Sequence, residues 1–191
     1  MDVTQKNRRE SLIRLLKDAD ESVRKSAADA LEKLEGKSNL EALCDIYHHG
    51  DKRTRLQAIY ALAKISDSMA SDTLVHALAS EEEDVRSAAV RVLGQRLDPK
   101  TIAPLIERLD DPSMTIRTLA VEALGGFEDR RLAPTMIEML QSPNKYLLIS
   151  TIEALGKLHS MEAEPALMEL LEHKEPEVRR AAAAALGDLE V

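Results

Sequence analysis

The chain has 191 residues, 44% hydrophobic and 31% charged, with a net charge of −8. This balance fits one folded domain with a sizeable core and excludes a disordered chain. The acidic surplus weighs against nucleic acid as the main ligand, whose phosphates need a concentrated basic face, and no apolar run reaches the roughly 20 residues that span a bilayer.

One ground plan of two short helices, A then B, recurs every 31 residues. The first copy, residues 4–36, carries Leu12 and Leu16 one turn apart on helix A, then SVRKSAADALEKL at 22–34 as helix B behind the N-cap candidate Asp20. The second, 37–67, has Leu43 and Tyr47 on A, closes A on His48 and His49, and starts B at Thr54 behind Asp51. The third, 68–98, has Leu74 and Leu78, then VRSAAVRVLGQR from Val85 behind Glu82. The fourth, 99–129, has Leu105 and Leu109, then IRTLAVEALGGF from Ile116 behind Ser113. The fifth, 130–160, has Met136 and Leu140, then LLISTIEALGKL from Leu147 behind Asn144. The sixth, 161–191, has Leu167 and Leu171, then VRRAAAAALGDL from Val178, with Pro176 after Glu175 at the helix start. Gly94, Gly125, Gly156 and Gly187 recur near the end of helix B, where the chain is expected to turn. Helices this short are marginal alone, so the copies are expected to stack and bury one continuous core. Aromatic residues are only 2%, so small aliphatic side chains must fill it. The core columns do diverge: Arg96 stands where other copies have Leu34 or Phe127.

At about 100° per residue, the first core residue of helix B and those 4, 7, 8 and 11 further on form its buried column. The residue just before, and those 2, 3, 6 and 10 further on, face the opposite way. This outward set contains Leu56, Tyr60, Arg91, Leu119, Tyr146, Ile149, Glu153 and Lys157. Exposed aromatic and aliphatic residues rimmed by charge suit a protein–protein site. Arg24, Arg55, Arg86, Arg117 and Arg179 share the position after the first core residue, and are expected to form a ladder with loop carboxylates such as Asp67, Asp98 and Asp129. The fifth copy has Leu148 there, expected to pack between repeats.

The pattern DxxVRxxAAxALGxL at this period resembles the HEAT-like repeat of the type found in phycobilisome lyases. The resemblance covers essentially the whole chain. It implies an all-α, right-handed α-solenoid of six antiparallel helix pairs, a single domain with A helices on the convex side and B helices lining the concave side. Di-iron deoxyhypusine hydroxylase is built from similar repeats and relies on His-Glu pairs. The five histidines here form no His-Glu dipeptide, so that metal chemistry is not carried over. Cys44 falls in an apolar column and is expected to be a small buried hydrophobe. A lone cysteine forms no internal disulfide and fits a reducing cytosol, and the start of the chain has no signal-peptide apolar segment. No catalytic arrangement, metal site or cofactor site is identified. The leading expectation is a cytoplasmic, non-catalytic scaffold that binds another protein on its concave face. A lyase or lyase-accessory role in bilin attachment and a nucleic-acid-binding helical repeat remain as alternatives. Either a monomer or an end-to-end homodimer is expected, because the sixth copy has no evident polar capping repeat.

Overall fold

The computed structural model describes residues 3–16 and 18–189. Its helices are α1 (Val3–Leu15), α2 (Glu21–His49), α3 (Lys52–Leu62), α4 (Ser68–Ala77), α5 (Glu83–Arg96), α6 (Ile102–Ile106), α7 (Met114–Gly125), α8 (Ala133–Met139), α9 (Lys145–Lys157), α10 (Glu164–Leu170) and α11 (Pro176–Asp188). Helices α3, α5, α7, α9 and α11 are the B helices of successive copies, and each packs on the next. Helices α4, α6, α8 and α10 are A helices, and each covers the B helix of its own copy. The result is an all-helical α-solenoid. The expected columns form its interior: Leu74, Leu105, Met136 and Leu167 from the A helices meet Val85, Ile116, Leu147 and Val178 from the B helices, and all are buried.

The first junction departs from six separate pairs. Helix α2 is one 29-residue element that runs the first helix B into the second helix A. The other junctions show why. At three of the other four the chain passes through a residue with positive φ after helix B, Leu97 at 50°, Glu128 at 53° and His159 at 48°. The next residue then starts the following A helix: Asp98 accepts from the Lys100 N–H at 3.0 Å and Asp129 from Arg131 at 3.1 Å. Asp67 does the same for Met69 at 2.8 Å. The aligned residue of the first copy is Gly36, which has no side chain to accept such a bond. No proline falls within residues 21–49 either, so nothing competes with continued helix.

The recurring glycines do not turn the chain. None has positive φ, and Gly94, Gly125 and Gly156 lie inside helices. Their role is close approach. A Cβ on Gly94 would lie 2.6 Å from the Ala123 Cβ, one on Gly125 2.8 Å from the Ala154 Cβ, and one on Gly156 3.2 Å from the Ala185 Cβ. Each glycine lets its B helix sit directly against an alanine of the next.

The caps are mixed. Asp20, Asp51 and Asn144 accept backbone N–H bonds as expected, whereas Glu82, Ser113 and Glu175 make no side-chain cap bond. The Ser113 hydroxyl donates instead to Glu83 Oε1 at 2.8 Å, joining two neighbouring B helices.

Candidate functional site

The arginine ladder is built differently from the expectation. Arg86 does not reach Asp67, Asp98 or Asp129, whose carboxylates cap A helices. Its Nε donates to Asp111 Oδ2 at 2.9 Å and its Nη2 to Asp111 Oδ1 at 3.0 Å, in the turn of the next copy. Its Nη1 donates to the Ser80 and Glu81 carbonyls at 2.8 and 3.0 Å. Arg55 likewise donates to the Gly50 carbonyl at 3.0 Å, and Arg179 to the His173 carbonyl at 2.7 Å. The shared job is to satisfy carbonyls left free after helix A. The side chain of Arg24 lies outside the described ones. Leu148 is 4% exposed and belongs to the core, as expected. Burial by itself would raise the Asp111 carboxyl. The hydrogen bonds from Arg86 and the Ser113 N–H, with the charges of Arg86 and Arg108, outweigh it and hold the group below its ordinary value.

The outward face of the B helices keeps only part of the expected anchor set. Tyr60 on α3 is 53% exposed and Tyr146 at the start of α9 is 73% exposed. Lys145 lies 5.9 Å from the centre of the Tyr146 ring and 3.6 Å from Glu177 of α11. Arg91, Glu153 and Lys157 are exposed. Leu56 and Ile149 are half-buried and pack against the core. Leu119 corrects the expectation, being only 8% exposed and so offering almost no surface to a partner. It lines, with Arg91, Gln95 and Glu122, a small cleft of about 210 Å³ between α5 and α7. Fixed helical angles placed it outward, but the Gly94–Ala123 contact brings these helices together one turn away and closes over it. Polar links run along the same face: Lys52 pairs with Asp84, and Ser150 donates to Glu122 at 3.3 Å.

Two further clefts lie at the repeat junctions. One, of about 260 Å³, is lined by Tyr47, His48, Arg55, His76 and Glu82. The Tyr47 hydroxyl lies 3.1 Å from His76 Nδ1, and the His48 and His76 rings are 5.4 Å apart. Burial pushes the Tyr47 phenol up, Arg55 opposes the shift and Glu82 adds to it. The only sequence signal for this cluster is a tyrosine in a column otherwise held by leucine. The other cleft, of about 670 Å³, separates α4 from α6 and includes Arg96. Cys44 is buried, as its column implied, and the Thr73 hydroxyl lies 3.2 Å from its Sγ. Among the described residues, no group of three His, Cys, Asp or Glu is placed to hold a metal ion, and no helix is long and apolar enough to cross a membrane.

The HEAT-repeat family model matches residues 5–63, 40–125, 71–148 and 133–190. No curated protein matches the sequence. Among solved structures, the complex of CpcE and CpcF of phycocyanin lyase from Nostoc sp. PCC7120 is similar, with a TM-score of 0.67 and 27% identity over 78% of this chain. The match spans 64% of that chain. A designed armadillo repeat protein in complex with the peptide (KR)4 has a TM-score of 0.60 at 18% identity, covering 94% of this chain and 98% of that one. Escherichia coli YibA has a TM-score of 0.64 at 20% identity, covering 96% of this chain and 72% of that one.

Proposed function

From the premise that the chain belongs to the HEAT-repeat family, we propose that it is a non-catalytic scaffold binding a protein partner on the face of its B helices, the concave side of the solenoid. The observation that carries this reading is the pair of tyrosines, Tyr60 and Tyr146, exposed on an otherwise charged face in a chain with only 2% aromatic residues. An exposed tyrosine beside a cation is a favoured interface anchor, contributing large area at low entropy cost. The tyrosines sit on α3 and α9, three B-helix steps apart, roughly 25–30 Å at ordinary helix spacing. An extended peptide of about eight residues or a small folded domain spans that distance. Arg91, Glu153 and Lys157 supply the polar contacts, with Leu56 and Ile149 as half-buried floor.

A photo-crosslinking amino acid placed at Tyr60 and at Tyr146 is expected to capture the same protein from a lysate of the source organism. The same probe at Glu107, exposed just after α6, and at Glu138, exposed on α8, is the control. Equal capture from both faces, or different proteins at the two tyrosines, would overturn the assignment. The likeness to phycocyanin lyase favours one second reading, a part in bilin attachment. A change in bilin absorbance on mixing chromophore, acceptor protein and this chain would support it, and an unchanged spectrum would remove it.

A further inference from the structure

Arg96 stands in a column that other copies fill with apolar residues. Leu158 and Leu189, its equivalents in the fifth and sixth copies, are buried. In the third copy the arginine cannot close the junction in the same way, and a cleft of about 670 Å³ remains between α4 and α6, a size typical of small-ligand sites. Its guanidinium donates to Ser71 Oγ at 3.0 Å and, at 3.4 Å, to the Leu62 carbonyl. No carboxylate among the described residues forms an ion pair with it. A guanidinium has five donors, so several stay available to a ligand. A half-buried charge without a counter-ion is a cost the fold does not require, because leucine closes the same junction elsewhere.

The other charged groups of the cleft define what would complement it. Lys100 and Asp72 line it, and neither forms an ion pair among the described residues. Asp67 and Asp98 also line it, but both carboxylates are engaged as helix caps. The cleft therefore carries two basic side chains, Arg96 and Lys100, and three acidic ones, Asp67, Asp72 and Asp98, the last of these and Asp67 already used as caps. A polyanion would be repelled by the acids, and a bare cation by Arg96 and Lys100.

We propose that this cleft binds a dipolar ligand. Its carboxylate is received by Arg96 and Lys100, and a neighbouring cationic group faces Asp72. Free amino acids carry that pattern, as do adjacent acidic and basic side chains of a peptide. The site is formed by the end of the second copy together with the third and fourth, and does not depend on the tyrosine-bearing face.

The test follows the Arg96 Nε–Hε resonance while the full chain is titrated with alanine, with the peptide N-acetyl-Glu-Lys-amide, with N-acetyl-Gln-Gln-amide and with inorganic phosphate. A saturable shift is expected with alanine or with the Glu-Lys peptide, and which of the two acts identifies the source. None is expected with the neutral peptide. Arg96→Leu restores the residue type of the sibling copies, so it should fold at least as stably as the wild type and lose the interaction, read at the neighbouring backbone amides. Asp72→Asn, at an exposed position, should weaken binding by up to about fivefold through loss of one charge pair. The proposal is overturned if no dipolar probe gives a saturable shift up to roughly 10 mM. It is equally overturned if phosphate matches the dipolar probes, or if the folded Arg96→Leu protein binds unchanged.

Discussion

Asp111 is buried at the turn before α7, yet its ionised form is the stable one because Arg86 reaches it with two parallel bonds from the preceding copy. Removing one partner of such a pair leaves the other charge buried, which costs about 3 kcal/mol. Asp111→Asn is therefore expected to lower the urea midpoint clearly at neutral pH. The pH dependence has a definite sign. The folded carboxyl titrates below the unfolded one, whose value is about 3.9. Its contribution is thus complete above that value and is lost as pH falls through the lower, folded one. The gap between wild type and Asp111→Asn should narrow in acid below about pH 4. A gap that stays constant across that range would show that the pair does not supply the difference. The sequence revealed the arginine column but not its partner. Asp111 aligns with Ser80, Ser142 and His173, so no matching acidic column existed to be read. Arg117, whose next-copy partner position is Ser142, reaches the Met114 sulfur at 3.7 Å and no carboxylate among the described residues.

Between helices, the controlling feature is the offset of 29 residues that joins Gly94 to Ala123, Gly125 to Ala154 and Gly156 to Ala185. A glycine near a helix end reads from sequence as a stop signal. Its pairing with an alanine in the next copy becomes visible only when the copies are superposed with that offset. The actual stops at Leu97, Glu128 and His159 carry side chains that do not announce a left-handed backbone, so they were not legible. The seam predicts opposite outcomes for one type of substitution. Gly125→Ala gains up to about 1 kcal/mol of helix propensity but forces a methyl into the Ala154 Cβ, and overpacking of this kind costs about 1–3 kcal/mol. It should destabilise, and the double mutant with Ala154→Gly should recover most of the loss. Gly36→Ala and Gly187→Ala meet nothing within 4 Å, so both should be neutral or stabilising. Thermal midpoints of the four proteins check this. A stable Gly125→Ala would mean that the B helices separate at little cost.

Across the molecule, the period in the sequence was enough to read the two layers and, from the third copy to the sixth, most of the buried columns, whereas Leu16 of the first copy lies exposed. The proposed binding face was legible only by angle. Tyr60 and Tyr146 stay exposed, while Leu119 is covered, because angular placement ignores how closely neighbours approach at the seam. The same nearest-neighbour geometry governs how stability is distributed. In a solenoid each copy contacts only its neighbours, so local stability follows the quality of the adjoining interfaces. Helix α1 packs chiefly on α2, and Ile13 and Leu15, with Leu16 just after it, are exposed. Helix α7 is held on both sides, with Gly94 of α5 against its Ala123 and its own Gly125 against Ala154 of α9. Native-state hydrogen exchange should therefore show α1 opening at the lowest free energy and α7 at the highest. Gly125→Ala should lower protection in α7 and α9, with a smaller effect on α3, two B-helix steps from the altered contact. Uniform protection from α1 to α11, falling together in Gly125→Ala, would show instead that the array unfolds as one unit and that its interfaces couple well beyond adjacent copies.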